Sequence, residues 1–173
     1  MNLVKNRKTM KVMVNSTIER HPVPVLGIDY KVKIVYKNTK ITELDIEGKT
    51  IKISLPNKYK KISNTEILDL AIEKMYEQIA RIEVERAMEK TRIMLGFAPE
   101  EYEVKKIETL GKCENKKITI NPEIVKYNRK IIDYVVLHQY CHLKYKTHSK
   151  RFFNMLEKYN PNYKECEATL LNI

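Results

Sequence analysis

The sequence predicts an α+β fold, with a β-rich region over residues 1–60 and a mixed unit richer in helix over residues 61–173. Three observations carry that prediction. Apolar and polar residues alternate through most of residues 10–57, the period of strands with one buried face. At Ser63 the period changes to three or four residues and runs without Gly or Pro until Gly96. Beyond Pro99 a second alternating stretch gives way to helical periodicity.

Taken in order, KVMVN, DYKVKIVYK, ITELDIEG and KTIKISLP predict an antiparallel β-meander of about four strands, with turns at Gly27 and Gly48. Pro22 and Pro24 interrupt the pattern between the first two runs, and Pro56 and Asn57 close the region. SNTE resembles a helix start, with Ser63 or Asn64 as the cap and Glu66 near the third position. In the following helix, Ile67, Leu70, Ala71, Met75, Ile79 and Ile82 form the expected buried stripe, and Gly96 ends it as a C-cap. EYEVKKIETL and KKITIN are expected to pair as a hairpin around a turn at GKCEN. Pro122 starts a helical stretch through Tyr127, and a second helix covers residues 129–143, burying Ile131, Ile132, Val135 and Val136. A last helix follows Ser149, packs through Phe152, Phe153, Leu156 and Tyr159, and stops at Asn160 and Pro161.

Composition narrows the function classes. Hydrophobic residues make up 43% of the 173, enough for a packed core. No window approaches the roughly 18–20 consecutive apolar residues of a membrane helix, and MNLVKNRKTMK lacks the apolar stretch of a signal peptide, so the expectation is a soluble cytoplasmic protein with no membrane partner. Cys113, Cys141 and Cys166 are odd in number, widely spaced and without a CxxC pair, which argues against a disulfide framework and a zinc ribbon. The net charge of +11 favours polyanions such as DNA. Most lysines are scattered, but Lys144, Lys146, Lys150 and Arg151 cluster beside a histidine motif.

That motif is the sharpest feature of the chain. Of four histidines, three fall within VVLHQYCHLKYKTHSKRFF. His138 and His142 lie four apart in a run with strong helical pattern, so their side chains leave one helix face together. Zinc accepts neutral imidazole nitrogen and favours four ligands, so a third protein ligand leaves a place for water. His148 can supply that ligand if the polar YKTH segment bends the chain back. His21, alone in a Pro-rich turn, reads as a surface residue.

The segment DYVVLHQYCHLKYKTHSKRFFNMLEKYNPNY resembles the signature of the YgjP-like metallopeptidases, relatives of the SprT-like zinc proteases, which typically read VVxHELxHxxxxxHSxxFW. Upstream, LGKCENKKITINPEIV is similar to that family's WGSC segment and the strand after it, with Leu110 and Lys112 replacing the tryptophan and the serine. PVPVLGIDYKVKI resembles its LGxxY element. The resemblance implies a zincin-like domain with a backing helix, a small sheet and an active-site helix, a zinc cofactor held by His138, His142 and His148, and a polypeptide substrate. A gluzincin-like relative would take its third ligand from a later glutamate, for which Glu157, Glu165 and Glu167 are the candidates.

One position departs from the pattern. In HExxH chemistry the glutamate after the first histidine is the general base, taking a proton from the attacking water and later returning it to the leaving nitrogen. This chain has Gln139 there, and an amide cannot serve as a carboxylate base near neutral pH. The expectation is a zinc metallopeptidase scaffold that holds its metal and turns over poorly. Gln139 is either a deliberate substitution or the mark of a pseudoenzyme. The second function class is a basic, nucleic-acid-associated binding module with structural zinc; the third is an α+β domain with no metal. Ile118 to Asn121 are expected to hold an extended peptide by strand addition or to form a core strand. Tyr140 and Tyr145 are candidates to stabilise an oxyanion or simply to pack, and Cys141 is expected in the core.

Overall fold

The computed structural model describes residues 18–171, and the expected KVMVN strand lies outside them. The order is β1 (Ile18–Val25), β2 (Ile28–Lys37), β3 (Glu43–Glu47), β4 (Thr50–Pro56), α1 (Asn64–Leu95), β5 (Glu101–Val104), β6 (Gly111–Glu114), β7 (Lys117–Ile120), α2 (Arg129–Lys144), α3 (Lys150–Tyr159) and α4 (Tyr163–Leu171). Short 3₁₀ segments cover Asn57–Lys61 and Pro122–Lys126. The fold is α+β: a sheet of N-terminal strands, then helices and a second small sheet.

The first sheet runs β1-β2-β4-β3, so its topology corrects the expected meander. β4 pairs parallel to β2 and antiparallel to β3, which is displaced to the edge. Burial gives the reason. Ile51, Ile53 and Leu55 make β4 an interior strand, whereas every residue of β3 is exposed. Strict alternation is common to both and does not reveal which one takes the centre. β1 also runs through Pro22 and Pro24 rather than stopping at them. Among the described residues it is the other edge strand, and its register shifts between Arg20 and Val23, on either side of Pro22, which cannot donate.

α1 begins with Ser63 Oγ accepting the Glu66 amide and ends at Gly96 in the left-handed region, as its caps predict. At 32 residues it is about 48 Å long, enough to run past the first sheet and reach α2 and β5. Its buried stripe keeps Ile67 and Met75 of the expected residues but is otherwise rotated. Leu68, Ile72, Tyr76, Ala80, Val84 and Met88 face inward, while Leu70 and Ile82 are exposed. Hydrophobicity alone ranks Leu70 and Ile82 above Ala80 and Ala87. Close helix packing reverses that order, because small residues admit a neighbouring backbone. Tyr76 donates to the Pro24 carbonyl at 2.8 Å and so ties β1 to this helix.

The second sheet is ordered β5-β7-β6. GKCE is strand β6, not a turn; the reversal is Asn115–Lys116, both at positive φ. α2 is bounded by α1, β6, β7, α3 and α4. Ile131, Ile132, Val135 and Val136 are buried, as expected. Buried Glu83 of α1 accepts from Arg129 and Arg86, Arg86 continues to Asp133, and these ion pairs join the two helices. The chain does not end its helices at Asn160: α4 follows, docked through Tyr163 and Cys166. All three cysteines are free thiols. Among the described residues no helix is long and apolar enough to cross a membrane.

Candidate metal centre

The three histidines converge from two pieces of chain. Asn128 caps α2 by accepting the Ile131 amide, and the helix then carries His138 and His142 on its one open face. The helix stops at Tyr145, the chain turns through residues 146–148, and Ser149 caps α3 by accepting the Phe152 amide. That turn returns His148 to the other two. His138 Nε2 lies 3.2 Å from His142 Nε2 and 3.0 Å from His148 Nε2. All three ligand atoms fall within 4.8 Å of one another, a set able to hold a metal ion.

The chemistry of the donors fits zinc. Tetrahedral bonds of about 2.0–2.1 Å would put nitrogens roughly 3.3 Å apart, within a few tenths of the two separations His138 makes. His142 Nδ1 is 3.1 Å from the Tyr145 carbonyl, which can only accept, so Nδ1 carries the proton and Nε2 offers its lone pair. Burial, reinforced by His142 and His148, pushes the His138 pKa down to about 4, and burial also lowers that of His142. Both rings are therefore disposed to be neutral, the form that binds a metal.

The surroundings include residues that the sequence pattern did not mark. Phe152 is fully buried, and its ring centre lies 4.9, 4.8 and 4.7 Å from those of His138, His142 and His148. It is an apolar floor under all three imidazoles. Sequence reading takes Phe152 only as a packing residue, though its place four after His148 could have tied it to the site. Tyr134, one turn before His138, places its hydroxyl 3.4 Å from His138 Nδ1 and donates to Glu167 Oε1 at 3.1 Å. Burial, and next the Glu167 charge, holds this phenol well above its usual range. The spacing 134, 138, 142 shares one helix face and was available as a signal. Glu167 was marked in the sequence only as an alternative metal ligand; its contact with Tyr134 comes from the unanticipated α4.

Other candidates sort by position. Gln139 is buried, and its side chain lies against Gly111 of β6: a Cβ built on that glycine would stand 3.0 Å from Gln139 Nε2. Of the alternative third ligands, Glu165 pairs with Lys130, Glu167 takes the Tyr134 proton and Glu157 is exposed. None of them belongs to the histidine cluster. Ile118 and Asn121 do not offer a strand edge. β7 is central with both sides bonded, and Asn121 spends its side chain on the Ile107 carbonyl and the Glu123 amide. The open edge beside α2 is β6. Tyr140 points away from the histidines into the core, where it donates to the Met88 carbonyl. Tyr145 contributes its carbonyl to the site, and its half-buried ring packs against the core. Cys141 is fully buried, with its thiol pushed up to about 12 by burial.

Comparison with known proteins gives a family. Residues 2–172 match the family model described as YgjP-like, metallopeptidase domain. No curated protein matches the chain. Among solved structures, the metallopeptidase zymogen of Pyrococcus abyssi abylysin is similar at 24% identity and a TM-score of 0.47, over 51% of this chain and 92% of that one. The metallopeptidase zymogen of Methanocaldococcus jannaschii jannalysin is similar at 20% identity and a TM-score of 0.46, over 51% and 94%.

Proposed function

Because the chain belongs to the YgjP-like metallopeptidase domain family, we propose that His138, His142 and His148 hold one zinc ion in a peptidase site where Gln139 occupies the place of the general base. The observation that carries this is the convergence of three Nε2 atoms over the Phe152 ring. Zinc held there supplies Lewis acidity and a fourth coordination position. The chain's own residues do the rest. Phe152 excludes water from beneath the site, and the Tyr145 carbonyl fixes the His142 tautomer. β6, an edge strand among the described residues, is suited to hold an extended polypeptide by strand addition. Residues 61–173 form the peptidase unit, preceded by the β-rich region 1–60.

Gln139 can orient a water through its amide but cannot take its proton. Turnover is accordingly low, since general base catalysis contributes roughly 10²–10⁴-fold. The test is Gln139→Glu assayed on an unfolded, fluorescently labelled protein. Proteolysis should rise by about that factor and disappear with a chelator. A variant that binds zinc yet cleaves no faster than the parent would refute the assignment.

One observation favours a second reading, a nucleic-acid-associated module. Lys144, Arg151 and Lys158 line a groove of about 370 Å³ with Tyr145, Asn154 and Tyr159, and no carboxylate lines it. These three cations form no ion pair among the described residues, whereas the larger groove beside β5 mixes Glu85, Glu89, Glu100 and Glu101 with Arg86 and Arg92. Single-stranded DNA binding that weakens steeply with salt and is lost in Arg151→Glu is expected on this reading. Salt-independent binding would remove its basis.

A further inference from the structure

Tyr134 stands between a metal-facing imidazole and a carboxylate from another helix. Its hydroxyl donates its one proton to Glu167 Oε1, so its lone pairs face His138 Nδ1 as acceptors. The hydrogen on that imidazole is then held at Nδ1, and the lone pair sits on Nε2, the atom nearest both other histidines. Tyr134 is itself buried, with its ring edge-on to His138 at 5.8 Å. Glu167 joins no ion pair among the described residues, so its charge is directed through the phenol alone.

We propose that Tyr134 and Glu167 are positioning residues: a phenol–carboxylate relay that fixes the tautomer and aim of His138 and makes metal affinity depend on the docking of α4. The proposal rests on the three-histidine metal site. Metal-bound histidines commonly give their second ring nitrogen to a carboxylate, carbonyl or water, and loss of such a partner weakens metal binding roughly 10–100-fold. His142 has a backbone carbonyl in that role, which mutation cannot remove. His138 has a side-chain relay, which mutation can. The same relay accounts for α4, whose Lys130–Glu165 pair and buried Tyr163 and Cys166 set Glu167 beside α2.

The experiment titrates the full-length apoprotein with Zn²⁺ against a chromophoric chelator, with Co²⁺ absorption spectra as a second readout of the ligand field. Tyr134→Phe, which keeps the ring, and Glu167→Ala should each bind Zn²⁺ about 10–100-fold more weakly and alter the Co²⁺ spectrum. Glu167→Gln still accepts from the phenol and should recover most of the affinity. The double variant Tyr134→Phe/Glu167→Ala should bind no more weakly than the worse single one, because both remove the same path. Affinities within about twofold of the parent, or losses that add, overturn the relay. A parent that binds no Zn²⁺ refutes the three-histidine site beneath it. A parent that binds, with loss in His148→Ala and none in the relay variants, refutes the relay alone. Should Tyr134→Phe fail to fold, Glu167→Ala at its half-exposed position decides.

Discussion

Replacing Glu83 by glutamine keeps the shape of the side chain and removes its charge from the junction of α1 and α2. The Glu83 side chain is 6% exposed and accepts from Arg86 Nε at 2.9 Å and from two nitrogens of Arg129 at 2.9 and 2.6 Å. A hydrogen bond to a charged group contributes about 1.5–3 kcal/mol. Arg129 is 63% exposed and recovers water when it loses its partner, so its share is discounted; Arg86 keeps Asp133. The expected cost is about 2 kcal/mol, equivalent to roughly 4–8 °C in melting temperature for a chain of this length. Circular dichroism melts of parent and Glu83→Gln at neutral pH measure it. The pH dependence has a definite sign. Hydrogen bonding from Arg129 holds the Glu83 carboxyl below its ordinary 4.5, so its contribution is present above that pH and is lost as pH falls through it toward the folded value. Glu83→Gln lacks that contribution throughout, and the gap between the two melting temperatures should narrow in acid. A neutral-pH shift under about 1 °C, or a gap unchanged by acid, would refute the role given to this carboxylate.

Two further outcomes follow from the site. The parent should carry about one zinc per chain by elemental analysis, and His148→Ala should lose most of it; zinc retained in that variant moves the third ligand elsewhere. Gly111→Ala forces a methyl against the Gln139 side chain, where the nearest atom would be 3.0 Å away, and should destabilise by about 1–3 kcal/mol in urea melts. Adding Gln139→Ala to that variant should recover part of the loss, and no recovery would mean that the contact does not set the cost.

The local features were legible in the sequence. Ser63 and Gly96 mark the ends of α1, Ser149 marks the start of α3, and the positions of His138 and His142 place them on one face of α2, because caps and helical periodicity depend on residues only a few places apart. The motif with His148 and the following Ser and Phe was enough to anticipate the family. What the sequence could not fix depends on distant partners. β3 and β4 alternate alike, and only the pairing of β4 with β2 decided that β4 is interior and that the sheet is mixed. The rotation of the α1 stripe toward Ala80 and away from Ile82 was set by how closely its neighbours approach. GKCE became a strand because β7 pairs with it, which left β6 rather than β7 at the open edge. Around the histidines the same division holds. Their helix and spacing were written locally, but the Phe152 floor and the Glu167–Tyr134 contact exist only because α3 and α4 fold back onto α2, and hydrogen bonds between elements so far apart in the chain leave no periodic trace in it.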